Sequence, residues 1–379
     1  MTSAETMKSL LSWIHSKQNP AVCPTRITHA YRRGSGLGSQ VMLMANQMLE
    51  VIQDGGVYEV EGTTTGYVNP LGCRSCTWSC YVHPLSNCSM SKVVAHETPH
   101  RWTSCPAYNA SFWTAVGRSL HPPATPGAGV EFYLAGMIQY LLRPSAYLRS
   151  HIEHARNRSQ LRSGSNCVAL HARIGDTKDD RSRVPNPHHP PAAYVAFGLQ
   201  AAFNGGLTSF FVNSDSPSMV EQITKELRKW GSVHTMPREM FPLLQSASQG
   251  REVSQDAGRL QQAQLKQLQA RHTPLEQGGH VPDEGAAILA QIILAASCPA
   301  YVGSIFSNVN RVAASLRFGY LDRIYDIDGG AWFACGASEE VHKGGPARVP
   351  ANFVLWNASR FRLMLRTKPC IWTPTNACV

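Results

Sequence analysis

Three short polar sets in this sequence carry residue types that can do chemistry together. They are His171-Ala172-Arg173-Ile174-Gly175-Asp176, then Asn213-Ser214-Asp215-Ser216, then Ser304 with Ser307 and Asn308. Arginine offers a planar fork of donors that can hold two oxygens of a diphosphate at once. Ser307 and Asn308 stand where a helix opens, so they can join backbone N–H groups facing a phosphate. A plainer reading makes Arg173 and Asp176 a local ion pair and the Ser and Asn residues helix caps. The ligand reading gains because each set follows a short apolar run. The pattern predicts strands over 167–172, 209–212 and 300–303. Helices are predicted over 192–203, 218–230 and 286–296, with another starting at 311–318. Strands alternating with helices predict an α/β fold with a doubly wound parallel sheet, which binds ligands beyond the carboxyl ends of its strands.

A second unit lies nearer the N-terminus. An apolar segment at 27–31 runs into the turn Gly34-Ser35-Gly36-Leu37-Gly38-Ser39, a helix over 40–53, and a strand over 57–61. Asp54-Gly55-Gly56 should end the helix, glycine supplying the left-handed position. This βαβ pattern admits a dinucleotide site, with Glu59 or Glu61 at about the right distance. The third glycine of that fingerprint is Ser39, however. Gly36 and Gly38 serve equally to bring backbone close to a sugar nucleotide across a cleft. The expected organisation is an N-terminal α/β lobe (1–165), a Rossmann-like lobe (166–330) and a tail (331–379) packing on the body. Residues 62–128 read as an irregular insertion, and helices are predicted over 130–142 and 145–158. Residues 244–283 read as polar and partly mobile.

Composition narrows the partners. The 379 residues carry a formal charge of +10, with 16% charged and 43% hydrophobic residues. Low charge with ample apolar content excludes a disordered chain, and also collagen-like or coiled-coil classes. The positive balance suits an anionic ligand. No Lys/Arg run of five, RNP-like aromatic box or zinc-finger spacing accompanies it, so no nucleic-acid partner is expected. Residues 1–22 lack the apolar run of a leader. The uncharged stretch 285–310 contains Gln291, Pro299, Asn308 and Asn310, so it reads as a buried helix and strand rather than a membrane span. Of the eleven cysteines, Cys73, Cys76, Cys80 and Cys88 crowd into one segment. Disulfides, a zinc site and free thiols are all compatible with them, and we expect mostly disulfides. Sequons at Asn87, Asn109, Asn157 and Asn357 suit a secretory lumen.

Taken in order, these stretches resemble the α-1,6-fucosyltransferase family over roughly residues 9–330. Gly34–Gln40 is similar to its glycine turn and Phe132–Glu153 to the helices before its nucleotide lobe. His171–Asp176 resembles its His-x-Arg-Arg-x-Asp motif, Asn213–Ser218 its acidic strand end, and Ser304–Arg311 its phosphate turn. The resemblance implies a GT-B-like, two-lobed transferase that moves fucose from GDP-fucose to a hydroxyl of an N-glycan or other glycan or glycoprotein. Inversion without a required metal or other cofactor is implied too. Arg173 and the helix start at Ser307 and Asn308 would then meet the diphosphate, with Gly36 and Gly38 nearby. His171 and Asp215 would hold the nucleoside. Asp179 or Asp180 would deprotonate the acceptor, with Asp176 in the same catalytic group. A Golgi-lumen location follows if a leader precedes this chain, and a cytoplasmic one otherwise. The departures are Ile174, Thr177, Arg181 and Gln291, where the family has an arginine, a lysine, a carboxylate and an aspartate. Ser35 and Ser39 replace cysteines. A catalytically silent nucleotide-sugar or glycan binder, and a dinucleotide-dependent oxidoreductase, are the rival readings.

Overall fold

The computed structural model of the chain describes residues 4–24, 27–28, 36–60, 77–88, 109–124, 130–161, 166–173, 189–241, 283–304, 307–317 and 324–327. In chain order its elements begin with α1 (Ala4–Gln18), β1 (Ile27–Thr28), α2 (Leu37–Gln53), β2 (Val57–Tyr58), α3 (Ala110–Ser119), α4 (Val130–Leu141) and α5 (Ala146–Ser159). Next come β3 (Cys167–Ala172), α6 (Pro191–Gly205), β4 (Ser209–Ser214), α7 (Pro217–Leu227) and β5 (Ser232–Thr235). The last are α8 (Glu284–Ser297), β6 (Ala300–Gly303), α9 (Asn308–Leu316) and β7 (Ile324–Asp326).

All six residues of β3 are buried, as a strand must be when helices cover both faces of its sheet. The sheet is parallel throughout, in the order β5-β4-β3-β6-β7. Side chains alternate between its faces. Val168, Leu170, Phe210, Val212 and Val302 pack under α6 and α7. Ala169, Phe211 and Tyr301 join the opposite core with α2, α4, α8 and α9. The fold is therefore α/β with a doubly wound parallel sheet. From β3 the chain steps outward to β4 and β5, then crosses back to continue as β6 and β7. The crevice between the ends of β3 and β6 is the switch point where open α/β sheets bind ligands.

The first half contains the predicted βαβ unit, with β1 and β2 parallel. Asp54 caps α2 and Gly55 adopts φ +74°. The amides of Gly56 and Gly55 close back on the carbonyls of Val51 and Ile52, at 2.8 and 3.0 Å. The same apolar cluster contains Leu10 of α1, Met44 of α2, Ala290 of α8 and Ala313 of α9. One core thus crosses the expected 165/166 boundary.

Several expectations need correction. α2 opens at Leu37 rather than 40, and α9 spans Asn308–Leu316 rather than starting at 311. β1 and β2 are two residues each. The stretch 62–128 is not irregular throughout. It contains a 3-10 turn at Trp78–Cys80 and α3, whose first turn is capped by Asn109 Oδ1 accepting from Phe112 N at 3.1 Å. α1, β5 and β7 were unexpected. Cys88 is disulfide-bonded to Cys23, and Cys167 to Cys298. Cys80 is disulfide-bonded as well. Cys73, Cys76, the tail 331–379 and nearly all of 244–283 lie outside the described residues. Among the described residues no helix is long and apolar enough to cross a membrane.

Candidate functional site

His171, Asn213 and Gly303 are register partners across β3, β4 and β6, so their Cβ directions share one face of the sheet at its carboxyl edge. Gly303 is small for a reason. A Cβ there would lie 2.8 Å from Asn310 Nδ2. The Asn310 amide fills that space, donating to Ser304 O at 2.9 Å and accepting from Tyr301 OH at 2.7 Å. This clamp pins the first turn of α9 to the end of β6. Asn310 was not singled out from sequence. Its only signal was a position three residues past the cap, one helical turn on.

Ser307 takes the cap position of α9, yet its side chain makes no capping bond. Its Oγ is buried and finds no hydrogen-bond partner among the described residues. The first N–H groups of α9 therefore keep their partial positive charge, equivalent to roughly half a proton at a helix start. α2 opens beside it. A Cβ on Gly38 would sit 2.7 Å from Val309 N and 2.9 Å from Asn308 C, and Asn308 Nδ2 donates to Ser39 Oγ at 2.8 Å. The glycine at 38 is what lets the two helix starts touch. Gly36 caps α2 without a side chain, and a Cβ on it would meet no described residue within 4 Å. Two helix N-termini whose own cap residues, Gly36 and Ser307, supply no side-chain bond thus converge at the end of β6.

Arg173 is the first residue beyond β3, and Asp215 is the first beyond β4. Arg173 Nε lies 3.4 Å from Asp215 Oδ2, and the side chains are 31% and 26% exposed. Both side chains are thus half-buried, at the rim of the sheet's carboxyl edge. Arg173 pairs across strands with Asp215; Asp176, its partner in the plainer reading, lies outside the described residues. So do Asp179, Asp180, Ile174, Thr177 and Arg181. Beneath the pair, burial drives the His171 imidazole down to about 4; the Asp215 carboxylate opposes that and Arg173 reinforces it. His171 is therefore neutral at pH 7, and its Nδ1 finds no partner among the described residues. Gln291 is buried in α8. Among the described residues no group of three or more His, Cys, Asp or Glu could hold a metal ion.

The structure thus brings Gly38, His171, Arg173, Asp215, Ser307 and Asn308 to one edge, with Gly36 two residues away on the glycine turn. No family model matches the sequence, and no curated protein matches it. Among solved structures, the chain is similar to the alpha-1,6-fucosyltransferase NodZ of Bradyrhizobium, soaked with GDP-fucose. Identity is 13% over 77% of this chain and 92% of that one, with a TM-score of 0.39. It is similar also to a mutant of Arabidopsis thaliana FUT1 in complex with GDP (11%, 83% and 78%, TM-score 0.42). A third is POFUT1 in complex with GDP (13%, 86% and 82%, TM-score 0.32). The likeness is spread over all three rather than confined to the α-1,6 enzyme. At these levels, function has to be read from this chain's own residues.

Proposed function

We propose that the protein is a glycosyltransferase that takes its sugar from a nucleoside diphosphate, with GDP-fucose as donor and a glycan or glycoprotein hydroxyl as acceptor. One observation carries the reading: two helix N-termini without a side-chain bond from their own cap residues and a half-buried arginine converge at the switch point of a parallel sheet. A leaving diphosphate gains negative charge as its bond to the sugar breaks. Donors fixed in advance stabilise that charge without having to reorganise. Arg173 supplies the planar fork, held in place by Asp215. The α9 start supplies backbone N–H groups and the Ser307 hydroxyl. Asp179 or Asp180 is the proposed base that removes the acceptor proton, giving inversion by direct displacement. No metal enters this scheme.

The ordered motif resemblance supports fucose and guanosine diphosphate as the particular donor. The Cys23–Cys88 and Cys167–Cys298 bonds support an oxidising compartment, hence a lumenal or secreted site of action. A second reading, a silent donor-binding relative, draws on Ile174, Thr177, Arg181 and Gln291. Calorimetric titration with GDP, UDP and NAD, followed by an assay for GDP release from GDP-fucose with a mixed glycan acceptor, tests both. Binding of GDP without turnover would favour the silent relative. Preference for NAD would overturn the transferase reading in favour of a dinucleotide enzyme.

A further inference from the structure

Asn213 is 2% exposed at the carboxyl end of β4, and both its amide atoms, Nδ2 and Oδ1, lack a hydrogen-bond partner among the described residues. A buried amide left unpaired at both ends is costly, and such groups in native proteins call for an explanation. It is a register neighbour of His171, whose Nδ1 is likewise buried and unpartnered. The row runs from the clamped Asn310 over Gly303, through His171, to Asn213, with His171 and Asn213 each two residues before the paired Arg173 and Asp215. Nothing in the diphosphate site needs it: β4 lies two strands from β6, about 10 Å at the usual spacing between strands. That separation matches the reach of a nucleotide whose phosphates rest on α9 and whose base lies at the far end.

We propose that Asn213 reads the edge of the donor's nucleobase, an inference that rests on the transferase reading above. An amide presents one donor face and one acceptor face side by side. Its complement is a heterocycle edge with an adjacent acceptor and N–H donor, which every standard base presents. The ribose and diphosphate are the strongly hydrated parts of a nucleotide; the base is the part that tolerates a site this deep. His171, neutral beside it, adds a second uncharged polar contact to the same ring.

The test compares GDP with inorganic pyrophosphate on wild type, Asn213→Leu and Asn213→Ala, with unfolding temperatures measured alongside. Leucine nearly preserves volume and removes an unpaired amide, so Asn213→Leu should unfold at or above the wild-type temperature. Its GDP affinity should fall about tenfold or more, as for loss of a bidentate base contact, while pyrophosphate affinity stays within about twofold. Asn213→Ala should show the same split even if its cavity lowers stability. An unchanged advantage of GDP over pyrophosphate in either folded variant would overturn the proposal. So would equal losses for both probes, or a clear fall in the unfolding temperature of Asn213→Leu. Wild type that binds GDP no more tightly than pyrophosphate sinks the base contact and leaves the phosphate site standing. Wild type that binds neither removes the transferase reading and this one with it.

Discussion

Replacing His171 with Gln should change how stability depends on pH, by an amount the burial of the ring sets. The imidazole is 5% exposed, and its pKa falls from an ordinary 6.5 to about 4 in the folded chain. As pH drops below 6.5 the unfolded chain takes up the proton first, so folding loses stability until about pH 4, below which the loss is complete. That difference, 6.5 less about 4, is worth about 3 kcal/mol at 1.36 kcal/mol per pH unit. Glu59 works against it. Burial raises its carboxyl from 4.5 to about 7, with hydrogen bonds from Ser86 pulling the other way. Its contribution is full below pH 4.5 and is lost as pH rises through about 7, and its partial exposure makes it the smaller of the two. The opposed slopes overlap, so the wild-type profile between pH 4.5 and 6.5 should be flatter than either group alone would give. Urea unfolding at half-unit steps from pH 4 to 8 measures this. His171→Gln should gain on wild type by up to about 3 kcal/mol as pH falls from 7 to 4, while Glu59→Gln should steepen the acid-side loss. Curves for His171→Gln and wild type that stay parallel would refute the reasoning.

Arg173→Ala should weaken GDP binding tenfold or more, since a charge-assisted hydrogen bond contributes about 1.5–3 kcal/mol. Arg173→Lys should recover little of it, because a point charge cannot form the fork; titration calorimetry reads both. For Gly38→Ala two effects compete. Helix propensity alone favours alanine by about 1 kcal/mol, whereas the added methyl would stand 2.7 Å from the backbone of Val309, and overpacking of this kind costs about 1–3 kcal/mol. The contact is with backbone, so the variant should be destabilised and bind GDP less well; a variant more stable than wild type would contradict the helix–helix contact. Removing the Cys167–Cys298 bond with two alanines should cost about 2–4 kcal/mol in denaturant titrations. GDP affinity should be retained, because the bond joins the start of β3 to the C-cap of α8, just before β6, at the edge opposite the site.

The central strands were legible because burial on both faces leaves a plain signal. Cys167–Ala172 and Ala300–Gly303 are short apolar runs between helical patterns, and they end where expected. The edge strands were not. β5 is Ser-Val-His-Thr with no residue fully buried, and β7 has three residues, so their pairing depends on the neighbour more than on their own composition. α1 escaped notice because Met7, Leu10 and Ile14 are the apolar buried positions amid ten exposed or half-buried residues. α9 began earlier than its apolar periodicity suggested because Asn310 faces inward, bonded to β6. That His171, Arg173 and Asp215 stand at strand ends could be read from sequence, since each follows a short apolar run. The Arg173–Asp215 pair, the Asn310 clamp and the Cys167–Cys298 bond are long-range facts of packing, and no local pattern encodes them.

The larger core, shared by the two halves, limits how the molecule can be divided. α9 belongs by sequence to the second half, yet it packs on α2, α4 and α8 together, and Val312 and Ala313 lie in one cluster with Leu10 and Met44. A fragment ending near residue 165 would expose an apolar seam along α2 and α4, and one beginning there would leave α9 without a floor. Recombination at that boundary would cut through this shared cluster. The seam also governs motion. A jaw-like opening would have to split it, whereas packed helices can slide past one another by about 1–2 Å with their contacts kept. A movement of the α9 start that kept this packing would be a slide along α2, since a swing away would expose Val312 and Ala313.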